Sequence, residues 1–163
     1  MKEKLYLGVD TSNYTTSLSL VRDGEVISNV RRLLPVENGK CGLRQSDAVF
    51  FHTRALPELA RELFQSTEDR KDLLCAVGVS ERPRDAQGSY MPCFLAGVSF
   101  ASAVSGALGI PMYSFSHQAG HISAGIYSCG GAEVFENTDF FAFHVSGGTT
   151  EALKCSYDGK TYV

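Results

Sequence analysis

Three consecutive segments of alternating polar and apolar residues open the chain, and they constrain its fold more than any other feature. Residues 4–10, 15–21 and 25–32 each have the two-residue period that predicts a β-strand. Asp23-Gly24, between the last two segments, is a dipeptide typical of a tight hairpin turn. The chain is therefore predicted to begin with a three-stranded antiparallel meander.

After this meander, predicted helices alternate with predicted strands. Ser46 is a candidate N-cap for a helix over 47–66, in which Pro57 is expected to introduce a kink or a break. Gly109 and Ser116 are a candidate helix end and a candidate N-cap. The other predicted elements are strands 73–80, 111–115, 139–146 and 151–157, a helix rich in small residues over 92–108, and a helix over 116–128.

The order β-β-β-α-β-α-β-α matches a ribonuclease-H-like unit, an α/β domain with a mixed sheet flanked by helices. The last two strands repeat the opening pattern of strand, polar turn and strand, so they predict the start of a second unit. We therefore assign residues 1–138 to an N-terminal ribonuclease-H-like domain and 139–163 to the first β-hairpin of a truncated second domain.

Composition narrows the class of protein. The 163 residues are 44% hydrophobic and carry a net charge of −3, values that suit one globular domain and exclude a generally basic nucleic-acid-binding surface. Five cysteines without a C-x-x-C pair argue against a disulfide framework or a thiolate zinc site. No apolar run or signal core predicts a membrane segment or secretion, so we expect a cytoplasmic protein.

Two polar turns at corresponding places of the two units are candidate ligand loops. Their backbone N–H groups and hydroxyls could cradle phosphate oxygens, and Asp10 could hold a cation or its water nearby. Each turn alone could equally be an ordinary hairpin turn, in which serine, threonine and glycine are common. The candidate binding residues are Asp10, Thr11, Ser12, Val145, Ser146, Gly147, Gly148 and Thr149.

His117 and His121 are candidate metal ligands because they are four residues apart on a predicted helix. That spacing places both imidazoles on one face, as in helical zinc sites. A pair of histidines with a structural role has the same spacing, and two nitrogens do not complete a metal site. His52 and His144 lack a comparable partner, and His144 is interpreted as structural. Neither a nucleophile constellation nor a P-loop or dinucleotide fingerprint occurs in the sequence.

Four segments in a fixed order resemble the tRNA threonylcarbamoyltransferase family, formerly called glycoproteases or O-sialoglycoprotein endopeptidases. LGVDTSNYTTS resembles the family's opening phosphate loop, and SHQAGHISAG its metal-binding helix. FHVSGGTTE resembles the second nucleotide loop, and AVGVSERPRDAQGSYMPCFLAGVSFASAVSGALGIP the stretch that leads into a long small-residue helix. Together the four segments cover nearly the whole chain.

The resemblance implies an actin/hexokinase-like fold of two ribonuclease-H-like halves and a metal-dependent transfer reaction. A threonylcarbamoyl group would pass from its adenylate to an adenosine of tRNA. His117 and His121 would bind Zn or Fe, and residues 145–149 would bind the adenine nucleotide or acyl-adenylate. Expected partners are tRNA and the other subunits of a tRNA-modification complex.

Departures from the family pattern indicate a divergent paralogue. Tyr14 and Thr15 stand where the family usually has two adjacent acidic residues. Ala119 stands where the family's metal motif often has an acid, and Thr149 where its second loop usually has a histidine. The family's third metal ligand, an aspartate, lies in a second half that this chain lacks, so we expect a fragment with an incomplete metal site. A non-catalytic scaffold paralogue remains the alternative. A protease is disfavoured because no glutamate follows the first histidine.

The last predicted hairpin has apolar faces and open edges that need cover. We expect it to self-associate or to fold back onto the first sheet.

Overall fold

The computed structural model of the chain describes residues 4–36, 42–65, 74–130, 135, 138–145 and 150–157. Within these residues it contains seven strands and three helices. The strands are β1 (Leu5–Asp10), β2 (Thr15–Arg22), β3 (Glu25–Leu33), β4 (Leu74–Arg82), β5 (Met112–Ser116), β6 (Phe140–Val145) and β7 (Thr150–Cys155), and the helices are α1 (Gln45–Gln65), α2 (Phe94–Leu108) and α3 (His117–Ser128).

Five strands form one mixed sheet in the order β3-β2-β1-β4-β5. The meander is confirmed, because β1 pairs antiparallel with β2 and β2 antiparallel with β3. β4 pairs parallel with β1 and with β5, so the carboxyl ends of β1, β4 and β5 lie along the same edge of the sheet. Loops that follow these three strands are thereby brought together, and this edge carries the candidate site.

Alternation along the strands gives the sheet two different faces. The covered face, on which α1 and α2 pack, consists of buried branched side chains that form the main core. The open face carries small and polar side chains instead. The covered face comprises Leu5, Leu7, Val9, Leu18, Leu20, Val77 and Val79, and the open face comprises Gly8, Asp10, Ser17, Ser19, Gly78 and Ser80.

Helix α1 differs from its prediction at two places. It continues through Pro57, so the predicted break is absent, and it begins at Gln45, so Ser46 lies inside the helix instead of capping it. Proline removes one backbone hydrogen bond, but buried residues on both sides of Pro57, from Ala48 to Leu63, keep one apolar stripe against the sheet. Tertiary packing of this stripe outweighs the local preference of proline to end a helix.

Helix α2 approaches the sheet closely because its contact residues are small. A Cβ atom on Gly97 would lie 2.7 Å from Oγ1 of Thr11, so only glycine leaves room for that hydroxyl. Gly109 caps the end of the helix in the left-handed conformation, with φ +65°, as predicted. Pro92 was predicted as the first helical residue, but the helix begins at Phe94.

Strands β6 and β7 form a separate two-stranded sheet and do not join the five-stranded sheet. The predicted hairpin is confirmed, and it lies against α3 through β6. Phe141, Phe143 and Val145 on its outer face are each more than two-thirds exposed, so the docking leaves this face uncovered by the described residues. No helix in the described part of the chain is both long and apolar enough to span a membrane.

Candidate metal and ligand site

Two adjacent residues at the end of β1 point to opposite sides of the sheet. Thr11 is buried towards α2, where its hydroxyl donates to the Cys93 carbonyl at 3.0 Å and accepts from the Gly97 N–H at 3.1 Å. Both hydrogen bonds are internal, so the Thr11 hydroxyl is engaged within the protein, and the ligand-binding role of Thr11 stays a prediction. The hydroxyl fastens the loop after β1 to α2, because a buried hydroxyl needs partners within the protein.

Asp10 faces the other way, towards α3. Its Oδ1 atom accepts the backbone N–H of Ser12 at 2.8 Å, and its Oδ2 atom lies 2.8 Å from Nδ1 of His117. Burial raises the pKa of this carboxyl, but hydrogen bonds from His117, Ser12 and Ser80 and the charge of His117 outweigh it and lower the pKa to about 2. Asp10 is therefore a carboxylate throughout the physiological pH range.

Ser116 positions the two histidines by starting α3. Its hydroxyl accepts the N–H of Ala119 at 3.1 Å, which confirms the predicted N-cap, and donates to Oδ2 of Asp85 at 2.6 Å. Asp85 is held in turn by the Arg82 guanidinium at the end of β4. The beginning of α3 is thus anchored to β4, and His117 is brought opposite Asp10.

The two histidines are joined through their Nε2 atoms. The Asp10 carboxylate can only accept, so Nδ1 of His117 carries a proton. Nε2 of His121 lies 2.8 Å from Nε2 of His117, so one of these two nitrogens donates to the other. Burial, followed by the charges of His117 and His144, lowers the pKa of His121 and favours its neutral form.

This geometry fits one side of a metal site. A cation could replace the proton between the two Nε2 atoms if they moved apart to about 3.3 Å, the spacing of two nitrogens in a tetrahedral zinc site. Asp10 behind His117 is the outer carboxylate that commonly orients metal-bound imidazoles. Among the described residues, however, no group of three such donors is arranged to hold a metal ion.

A cavity of about 670 Å³ adjoins these residues on the open face of the sheet. Gly8, Ser19 and Gly78 form part of its floor, with the histidines at one end and Arg31 at the other. The register pairs Asp10 with Ser17 and Ser17 with Arg31, so the carboxylate and the guanidinium belong to one row across three strands. The volume suits a small organic ligand.

The second predicted loop can be located only at its first residue. Val145 ends β6 and is 71% exposed, and Ser146, Gly147, Gly148 and Thr149 lie outside the described residues. Ser12, in the first loop, is partly buried and uses its N–H internally on Asp10. The ligand-binding role of these residues therefore stays a prediction.

His144 was interpreted as structural, but its ring centroid lies 5.1 Å from that of His121. Its neighbour Glu151 receives hydrogen bonds from Arg84 at 2.8 Å and from Gln118 at 2.9 Å, and these connect the hairpin to the loop after β4 and to α3. Alternation in β6 indicated only that His144 and Phe143 face opposite sides. A histidine on a strand has no fixed spacing to a helical pair, so its proximity follows from the docking of the hairpin.

Comparison with known proteins finds relatives whose sequence similarity extends over nearly the whole chain. A tRNA N6-adenosine threonylcarbamoyltransferase of Bacillus licheniformis is 32% identical, with 93% of this chain and 42% of the relative covered. The enzyme of the same name from Streptococcus suis is 29% identical, covering 98% and 45%. The chain is thus similar to curated tRNA N6-adenosine threonylcarbamoyltransferases along nearly its whole length. It spans less than half the length of these curated relatives, and no protein-family model matches it.

Solved structures support the fold. YeaZ from Pseudomonas aeruginosa superposes with a TM-score of 0.59 at 14% identity, covering 92% of this chain and 64% of that protein. At this identity the likeness concerns the fold alone. The chain has the ribonuclease-H-like fold that its element order predicted, and this fold agrees with the actin/hexokinase superfold that the family resemblance implied.

Proposed function

We propose that the chain is the N-terminal half of a metal-dependent, cytoplasmic protein that transfers a threonylcarbamoyl group from an adenylate to an adenosine of tRNA. The observation that carries the proposal is the sequence of contacts from Asp10 to His117 to His121 at the edge of the cavity. Relatives along nearly the whole chain bear the name of this transferase, which supports the same function here.

In this proposal each residue at the edge of the sheet has one task. His117 and His121 hold the metal ion, and Asp10 keeps the Nδ1 proton of His117 so that Nε2 stays available to the metal. The bound ion would supply positive charge to neutralise the phosphate of the departing AMP. Thr11 holds the loop in place from behind, and residues 145–149 contact the nucleotide.

Titration of the 163-residue chain with Zn²⁺ or Fe²⁺, followed by AMP, tests metal binding and nucleotide binding together. Because two imidazoles form an incomplete site, we expect weak binding of one metal ion per chain, loss of that binding in His117→Ala and tighter AMP binding when the metal is present. His52→Gln is the matched control, because His52 is a buried histidine on α1 that contacts Thr16 and lies outside the cavity. Absence of both metal and AMP binding in a folded protein would rule out the proposal.

A non-catalytic scaffold that pairs with such a transferase is the second candidate. It is favoured by the lack of a third converging donor among the described residues and by the exposed apolar row of Phe141, Phe143 and Val145. It predicts stable association through that row, including self-association of the chain, and no turnover. Sedimentation of wild type and Phe143→Ser distinguishes the candidates, because association lost in the variant supports the scaffold and a metal-binding monomer contradicts it.

A further inference from the structure

A helix covers only part of the open face of the five-stranded sheet. Helix α3 packs on β4 and β5, and the cavity lies in the angle between this helix and strands β1 to β3. Ala119, Gly120 and Ser123 form the wall of the cavity on the helix side. Because these side chains are small, they leave the floor of the cavity accessible to a ligand.

The floor itself is built from small and polar residues. Gly8 pairs with Ser19, and a Cβ on Gly8 would lie 2.5 Å from the hydroxyl oxygen of Ser19, so glycine is required for this hydroxyl to lie over β1. Ser19 pairs in turn with Asn29, which also lines the cavity. The floor therefore presents hydroxyl and amide groups that can form hydrogen bonds with a polar ligand.

Arg31 brings to this cavity a positive charge that has no anionic partner. It is exposed at the end of the cavity opposite the histidines, and no carboxylate of the described residues pairs with it. Its neighbour Arg32 faces the other side of the sheet, where its guanidinium pairs with Glu58 of α1. Alternation along β3 thus commits one arginine to the structure and leaves the other for a ligand.

The charges at the two ends of the cavity define which anion it can bind. Asp10 and Arg31 belong to one row across three strands, and with strands about 4.8 Å apart their backbones are about 10 Å from each other. The Asp10 carboxylate accepts hydrogen bonds from His117 and Ser12, so the charge still without a partner is the guanidinium. One planar guanidinium matches one carboxylate, to which it can donate two parallel hydrogen bonds. A phosphate dianion would need more positive charge, and Asp10 would repel it more strongly.

We propose that this cavity holds the group that is transferred, and that Arg31 binds a carboxylate on that group. The inference rests on the proposed function and gives its acyl group a binding site. The free carboxylate of the amino-acid part lies on Arg31, and its middle lies over Ser17 and Ser19. The reacting end faces His117 and His121. Arg31 thereby selects acyl groups that carry a carboxylate over neutral groups of the same size.

Two small probes that differ only in charge test this proposal: N-carbamoyl-L-threonine and its neutral amide, N-carbamoyl-L-threoninamide. NMR titration of the 163-residue chain measures the dissociation constant of each. We expect wild type to bind the acid about tenfold more tightly than the amide, because the amide lacks the charge-assisted hydrogen bonds. Arg31→Gln should bind the acid about tenfold more weakly than wild type and the amide as wild type does.

Arg32→Gln is the matched control, because it removes the same charge from the next residue of β3 on the other side of the sheet. It should keep the wild-type affinity for the acid. The carboxylate site is disproved if wild type does not bind the acid, if acid and amide bind equally, or if Arg31→Gln binds the acid as tightly as wild type. Inorganic phosphate that competes as well as the acid would also disprove it, because Arg31 would then bind anions in general.

The titration with metal and AMP is a separate measurement that distinguishes this inference from the proposed function. If the folded chain binds neither metal nor AMP but binds the acid through Arg31, the proposed function fails and the carboxylate site stands. If metal and AMP bind but the acid does not depend on Arg31, the carboxylate site fails and the proposed function stands.

Discussion

The covered face and the open face of the five-stranded sheet are built from alternate residues of the same strands, yet they serve different purposes. Leu18 on the covered face is fully buried against the helices, whereas its neighbour Ser17 lines the cavity. Burial of branched side chains on one face provides the driving force for folding. The other face is thereby released from packing and can carry small, polar and charged groups.

The same division appears at the end of β1. Thr11 uses its hydroxyl entirely within the protein, whereas Asp10 presents a carboxylate to His117. Because the Thr11 hydroxyl fastens the end of β1 on the packed side, the Asp10 carboxylate on the open side keeps a fixed position opposite His117. The difference between the faces therefore shows how one short loop can be both rigid and chemically available.

Leu18→Ala should have the largest effect of the substitutions considered. Its side chain is 0% exposed, and truncation of a buried leucine costs about 2–5 kcal/mol of unfolding free energy. Ser17→Ala, one residue away on the open face, should change that free energy by less than about 0.5 kcal/mol. Urea denaturation of both variants measures the contrast, and equal losses would show that the two faces do not differ in packing.

Gly97→Ala should have the next largest effect, because the new Cβ would lie 2.7 Å from the Thr11 hydroxyl. Overpacking of this kind costs about 1–3 kcal/mol. Gly106→Ala is the control on the same helix: a Cβ there meets nothing within 4 Å, so a gain of about 0.5–1 kcal/mol is expected. Thermal unfolding that ranks Gly97→Ala at or above wild type would contradict the close approach.

His52, a buried residue of α1 on the covered side of the sheet, should make the free energy of unfolding depend on pH. Burial is the largest influence on its pKa and lowers it below the ordinary 6.5. Between the lowered value and 6.5 the unfolded chain binds a proton that the folded chain does not, so stability falls as pH decreases through 6.5. His52→Gln should reduce this slope in urea titrations from pH 7.5 to 5. An unchanged slope would assign the proton uptake to other groups.

Arg84→Ala should have the smallest effect, because the ion pair of Arg84 with Glu151 is partly exposed to solvent. Its loss should cost about 0.2–1 kcal/mol and act on the docking of the hairpin. Hydrogen exchange in β6 and β7 should accelerate while exchange in β1 and β2 stays as in wild type. Lys154→Ala is the control, since Lys154 pairs with Asp139 beside the same hairpin, and equal acceleration in both variants would exclude a specific role of Arg84.

Much of the fold was predictable because its signals are local. Two-residue alternation located β1 to β3, Asp23-Gly24 located their hairpin, and Ser116 was identified as the cap of α3. Predictions failed where distant contacts override local preference. Pro57 does not break α1, because buried residues on both sides of it hold the helix against the sheet.

The sequence by itself determined the order of the elements, the two faces of the sheet and the spacing of His117 and His121, because each depends on a short-range period of the backbone. Only the tertiary structure decided that Asp10 stands behind His117 and that His144 lies beside His121. Those contacts join β1 to α3 and α3 to β6. Residues so far apart along the chain meet only when the strands pair and the hairpin docks, and no local pattern encodes that distance.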